Sequence, residues 1–236
     1  MKYSFILPYY RRLDHLWNTL LSYRNHYAGQ NNDWEVVVVV DQASDDEEKL
    51  LEVLDSFQDL PICRMNSPVG NGINPVIARN AAAVSARGQY LVQTNPECMH
   101  KENVLTYFDQ VLQADPETYI VCACEDVRLD GRAKAFRDLL EAKHLAWYDH
   151  PKHNARMLHW CSCLSRTQYM AVGGFDEYYH QLIGYDDNDF LQKIRHSGMR
   201  ITYQEAPAVS HIHHEKMHEN ADFRPAFDYY NSKWGW

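Results

Sequence analysis

The stretch "WEVVVVVD", Trp34 to Asp41, decides the fold. It is an almost unbroken run of β-branched residues ending on a carboxylate. A strand with one wet face alternates apolar and polar residues; a run apolar on both faces suits a strand buried on both sides, as in a parallel sheet. The neighbouring segments agree. "YSFILP" (3–8) reads as a first strand stopped at Pro8, and "RRLDHLWNTLLSYRNHY" (11–27) as a helix with Leu13, Leu16, Trp17 and Leu20 on one face. After Asp41, "SDDEEKLLEVLDSF" (44–57) reads as a helix capped by Ser44, with Glu47 three residues on and Leu50, Leu54 and Phe57 inward. "PICRMN" (61–66) is a short third strand. "NPVIARNAAAVSARG" (74–88) is a helix with Asn74 as cap, Pro75 first and Gly88 at its stop, and "QYLVQT" (89–94) is a fourth strand.

This β-α-β-α order predicts an α/β fold with a doubly wound first half. Ligands of such sheets sit beyond the carboxyl ends of the strands. Asp41 and the segment Asn95-Pro96-Glu97 both lie at such ends. Further on, "ENVLTYFDQVLQ" (102–113) and "YDDNDFLQKIRHSG" (185–198) read as helices. "TYIVCACE" (118–125), "MLHWCSCLS" (157–165), "RITYQ" (200–204) and "PAVSHIH" (207–213) read as strands, and "GGFDE" (173–177) as a tight turn. Residues 126–158 are polar and mixed, with a helix expected in "AKAFRDLLEAKH" (133–144). No repeat or linker appears, so one domain is expected over 1–236.

Composition narrows the class. With 23 Lys+Arg against 32 Asp+Glu, the net charge is −9, and no basic run suggests a grip on duplex nucleic acid. No apolar run is long enough to span a bilayer, and "MKYSFILPYYRR" (1–12) lacks the features of a signal peptide. A cytoplasmic protein with reduced thiols is expected. The pairs Cys122/Cys124 and Cys161/Cys163 would place thiols on one strand face. Either they fill the core as small apolar groups, or two such strands hold a metal.

The ordered landmarks resemble a glycosyltransferase of the GT-A fold, closest to the family-2 glycosyltransferases. "FILPYYRR" (5–12) is similar to that family's first strand. "VVVVVDQASDD" (36–46) is similar to its Val-Val-Asp-Asp-Gly-Ser motif, with Gln42 in place of the second Asp. "NSPVGNGINPVIARNAAAVSARGQYLVQTNPE" (66–97) resembles the Gly…Ala-Arg-Asn…Asp-x-Asp segment. "SRTQYMAVGGFDEYY" (165–179) and "GYDDNDFLQKIRHSG" (184–198) resemble the Gly-Gly-Phe-Asp-Glu and Glu-Asp-x-Asp segments. The resemblance covers residues 3–213.

It implies a Rossmann-like nucleotide-binding half over 1–100, a mixed central sheet, and a smaller acceptor and catalytic half over 101–236. It implies a hexosyltransferase-like enzyme that moves a sugar from a nucleotide-sugar donor, most simply UDP-linked, to an acceptor hydroxyl with inversion. Asp41 would accept the uracil N–H, Arg79 would reach the nucleotide, and Pro8, Tyr9 and Arg11 would line the same pocket. Asp187 would be the general base, with Asp186 beside it and Asp189 structural. Mn²⁺ or Mg²⁺ would neutralise the diphosphate. Here the chain departs from the pattern, offering Asn95 and Glu97 for Asp-x-Asp, and His211 and His213, two apart on a strand, are expected to complete the shell while His214 points away. A metal-free site with Arg79 carrying the charge is the alternative. Trp160, Gly174, Asp176 and Glu177 would border the acceptor, which the sequence leaves open among a glycan, a lipid-linked sugar, a protein and a modified nucleotide. Two other readings stand beside this one: a catalytically silent sugar-nucleotide-binding or scaffold module, and, last, a nucleotidyltransferase.

Overall fold

A computed structural model describes residues 1–29, 33–70, 73–214 and 222–235. The chain alternates as its sequence implies: β1 (Tyr3–Tyr9), α1 (Leu13–Tyr27), β2 (Trp34–Val40), α2 (Glu47–Asp55), β3 (Ile62–Asn66), α3 (Val76–Ser85) and β4 (Tyr90–Thr94). Then come β5 (Cys98–His100), α4 (Val104–Ala114), β6 (Tyr119–Arg128), α5 (Phe136–Leu140), β7 (Lys143–Asp149), β8 (Cys161–Ser165), α6 (Arg166–Ala171), a 3₁₀ turn (Glu177–Gln181), α7 (Asp186–His196), β9 (Ile201–Ile212) and α8 (Arg224–Trp234).

Among the described residues one mixed sheet of nine strands runs in the order β3-β2-β1-β4-β8-β6-β9-β5, with β7 on the outer half of β6. β3, β2, β1 and β4 are mutually parallel, and β8 pairs antiparallel with β4. The valine run explains the parallel half. Val36, Val38 and Val40 pack on the layer of α1, α2 and α4; Val37 and Val39 pack on the layer of α3, α6 and α7. All five are buried. Cys122, Cys124, Cys161 and Cys163 are free and buried on the first of these faces.

Local details differ from expectation for identifiable reasons. Pro8 does not stop β1; it lies past Ile6, the last β1 residue paired with β4, where a missing N–H is tolerated. α2 begins after Asp46, and Ser44 instead donates to the Asp46 carboxylate at 2.7 Å. The Asn74 oxygen accepts from Val76 N at 3.2 Å, as a capping side chain does, although the helix itself is counted from Val76. Gly88 is not a helix stop but a close crossing, since a Cβ there would lie 2.6 Å from Ser4 N. The two short strands before His213 are one strand, β9, with a register shift against β6 between Cys122 and Cys124. β5, β7 and α8 are additions to the elements expected from the sequence. Trp236, at the aromatic end of the chain, lies outside the described residues. No helix among the described residues is long and apolar enough to cross a membrane.

Candidate active site

The carboxyl ends of β1, β2 and β4 frame a cleft of about 170 Å³ lined by Pro8, Tyr9, Tyr10, Arg12, Asp41, Asn74, Asn95 and Glu97, among others. Tyr9 is held by donating to Asp46 Oδ2 at 2.5 Å. Asp41 Oδ1 accepts from Ala43 N at 2.7 Å. Gln42 donates to the carbonyls of Ser67 and Pro68 at 2.9 and 2.8 Å, tying the β3 loop to the end of β2. Gly70 lets that loop press on Asp41, because a Cβ would lie 2.3 Å from Asp41 Oδ1.

The cation of this cleft is Arg12, not Arg11. Arg11 has φ 50°, a left-handed turn that sends its side chain outward to Asp45 at 2.7 Å. Nor does Arg79 line the cleft. Its buried guanidinium donates to Gln93 Oε1 at 3.0 Å, the Thr94 carbonyl at 3.1 Å and Asn95 Oδ1 at 2.5 Å. It is a buried strut beneath the site.

Asn95 therefore has its amide oxygen on Arg79 and stands outside the metal-type donor set. That set is Glu97, His211 and His214, whose donor atoms lie within 4.8 Å of one another. His211 is brought to Glu97 by strand pairing: Cys98 faces His211 across β5 and β9, and Ile212 N donates to the Glu97 carbonyl at 2.8 Å. His214, not His213, is the third member. β9 ends at Ile212, so strand alternation stops before these two histidines. His213 Nδ1 pairs instead with Asp126 Oδ2 at 2.9 Å, and Asp126 Oδ1 pairs with His211 Nδ1, also at 2.9 Å. Burial would raise the Glu97 pKa, but the hydrogen bond from His214 and the charges of His211, His214 and Arg12 together bring it down to about 2. An ionised carboxylate and two imidazoles, one braced by a carboxylate behind it, suit a divalent transition ion such as Mn²⁺.

The start of α7 reaches the cleft through Asn74. Tyr185 adopts φ 63° and lets the helix begin at Asp186. Asn74, a cleft residue, hydrogen-bonds Asp186. Burial, then the charge of Asp187, push Asp186 up to about 7, against its backbone hydrogen bond, Asn74 and Arg79. Burial pushes Asp187 up to about 6, opposed by Arg79 and aided by Asp149. His159 Nε2 lies 3.9 Å from Asp187 Oδ1. Asp189 is fully buried and accepts from Trp234 Nε1 at 2.8 Å, tying α7 to α8.

The acceptor-side residues are largely occupied. The Asp176 carboxylate accepts from Tyr178 N, Tyr229 Oη and Lys233 Nζ at 2.9, 2.8 and 2.7 Å. Glu177 accepts from Asn80 at 3.1 Å. Gly174, at φ 58°, packs so closely on Asn80 that a Cβ would lie 2.5 Å from Asn80 Oδ1. Trp160 is half-buried against Tyr148 and His211, with ring centroids 4.6 and 4.9 Å away. Sequence reasoning missed Arg12, Asn74, Asp126, His159 and His214 as contributors. Arg12, Asn74, His159 and His214 sat within or beside segments it had already singled out, and Asp126 in the unassigned stretch 126–158.

The fold has counterparts among known proteins. The family model described as glycosyl transferase family 2 matches residues 4–172, and one described as the N-terminal domain of galactosyltransferase matches residues 149–218. Among solved structures, S. aureus TarS 1–349 in complex with UDP-GlcNAc is 18% identical, with TM-score 0.69, covering 92% of this chain and 60% of that one. The mannosyltransferase PcManGT from Pyrobaculum calidifontis, in complex with GDP-Man and Mn²⁺, is 17% identical, with TM-score 0.65, covering 92% of this chain and 58% of that one. The chain thus spans about 60% of the length of TarS 1–349. A search of curated protein sequences finds no match. With the family model spanning residues 4–172, the chain belongs to glycosyl transferase family 2.

Proposed function

We propose that the chain transfers a sugar from a UDP-linked donor to an acceptor hydroxyl, with inversion, using Asp187 as general base. The observation that supports this reading is the half-buried Asp186–Asp187 pair at the start of α7, joined to the cleft through Asn74, while Glu97 of the Glu97–His211–His214 group lines the same cleft. TarS with UDP-GlcNAc and PcManGT with GDP-Man supply the precedent of a sugar-nucleotide bound on this fold.

Asp41 at the end of β2 would accept a hydrogen bond from the uracil ring, with Tyr9 and Tyr10 forming the cleft wall. Arg12 faces the cleft as a fixed cation for the diphosphate. Glu97, His211 and His214 would hold a divalent ion, Mn²⁺ by the two imidazoles. When bound, such an ion supplies charge neutralisation for the departing diphosphate. Asp187 takes the acceptor proton as its oxygen attacks the anomeric carbon, in a single displacement. A carboxylate raised to about 6 is ionised at neutral pH yet more basic than an ordinary one, which suits that task.

A silent binding module is the competing reading. It would have no use for two adjacent half-buried carboxylates whose mutual repulsion costs stability. The test has two arms. In a thermal-shift panel of UDP-, GDP- and TDP-sugars with and without Mn²⁺, UDP-sugars with Mn²⁺ should give the largest shift. Asp187→Asn should bind the same sugar nucleotide and lose its slow hydrolysis; a variant that still turns over removes Asp187 from the mechanism.

A further inference from the structure

His159 stands out among the buried polar groups. It is 2% exposed, and its Nε2 has no hydrogen-bond partner among the described residues. A buried imidazole N–H left unpaired is costly, so its direction is informative. The ring lies edge-on to Phe175 and Phe190, with centroids 5.3 and 5.0 Å away, which fixes its plane. Nδ1 lies 2.5 Å from Tyr119 Oη and 3.3 Å from Ser162 Oγ. Nε2 points the other way, toward Asp187 Oδ1 at 3.9 Å.

Tyr119 is buried and its phenol pKa is raised, chiefly by desolvation, so it keeps its proton and can donate to Nδ1. That leaves the imidazole proton on Nε2, facing Asp187. Burial, then the Arg79 charge, bring His159 down to about 3 although the Asp187 backbone opposes this, so the ring is neutral at working pH. A neutral N–H donor favours the ionised carboxylate without cancelling its charge, as a cation would. The distance exceeds a hydrogen bond, as is common before substrate closes a catalytic site.

We propose that His159 is a positioning residue for the base: held by Tyr119 in the tautomer with its proton on Nε2, it donates to the Asp187 carboxylate and fixes its aim as the acceptor hydroxyl docks. The inference rests on the reading of Asp187 as general base. The other ionisable groups facing Asp187 are Asp186 on the same helix, Arg79 from α3 and Asp149 from β7.

The experiment follows hydrolysis of the sugar nucleotide selected by the thermal-shift panel, with water as acceptor, against pH. Variants are His159→Phe, His159→Gln, Tyr119→Phe and Asp187→Asn, each checked for folding by circular dichroism. His159→Phe should lower kcat by about ten- to hundred-fold, move the acidic limb of the profile upward, and leave donor KM unchanged. His159→Gln, which keeps an N–H near the same place, should recover most of the loss. Tyr119→Phe should move the limb in the same direction by less. ¹⁵N NMR of the imidazole should show a protonated Nε2, and a proton on Nδ1 would overturn the proposal. So would wild-type kcat and an unmoved limb in His159→Phe. If that variant does not fold, an unmoved limb in Tyr119→Phe overturns it instead. Turnover by Asp187→Asn, or no hydrolysis by the wild type, removes the parent reading. An inactive Asp187→Asn beside an unaffected His159→Phe removes this inference alone.

Discussion

Lys233 places its ammonium 2.6 Å from Asp189 Oδ1 and 2.7 Å from Asp176 Oδ2. One cation from the last helix thus bridges a fully buried carboxylate on α7 and the carboxylate that caps the 3₁₀ turn. Removing it leaves Asp189 charged and buried without its ion partner. Lys233→Met should therefore cost about 3 kcal/mol in chemical denaturation. Adding Asp189→Asn should recover part of that loss, because the double variant no longer buries an unpaired charge.

Stability should depend on pH through the Asp186–Asp187 pair. Burial holds both above the ordinary carboxylate range, at about 7 and about 6. The folded chain therefore binds more protons than the unfolded one between about pH 4 and pH 7, and stability falls as pH rises through that window. Asp187→Asn should exceed wild type at pH 8, by on the order of 1 kcal/mol because water screens a partly exposed side chain. The gain should vanish near pH 4. Thermal unfolding at the two pH values checks the sign.

The donor set makes a discriminating prediction about adjacent histidines. His214→Ala should weaken Mn²⁺ binding at least tenfold by calorimetry, whereas His213→Ala should have a much smaller effect. Asp126→Asn should weaken binding roughly ten- to hundred-fold, because it orients His211 rather than joining the set. Equal losses for His213→Ala and His214→Ala would contradict this arrangement.

Gly70 packs tightly against Asp41 at the cleft. A methyl there would sit 2.3 Å from Asp41 Oδ1 and 2.4 Å from Gln42 N, so the loop or the carboxylate must move. Gly70→Ala should weaken UDP binding about tenfold or more in a calorimetric titration and leave the melting temperature within a few degrees. Unchanged UDP affinity would show that Asp41 is not held against the base.

Much of this architecture was readable because it depends on local pattern. A valine run buried on both faces, capped helices and punctuating glycines specify β2, α3 and β4 from neighbouring residues. The misreadings share another origin. Arg11 and Arg12 differ in role because of one left-handed backbone angle, which no side-chain pattern encodes. His213 and His214 exchange expected roles because β9 ends at Ile212. β5 has only three residues and exists through pairing with β9, more than a hundred positions away. α8 carried a signal that went unused, a proline in its first turn. Asp126 and His159 serve side chains distant in sequence, so only tertiary structure identifies them.

The placement of β5 has a consequence for how the protein is made. Glu97 is synthesised more than a hundred residues before the strand that carries His211. Among the described residues β5 sits at the edge of the sheet and pairs with β9 alone. The donor set is therefore incomplete in any nascent chain that stops short of β9. Capture of a divalent ion at this set would therefore mark a chain whose sheet has closed.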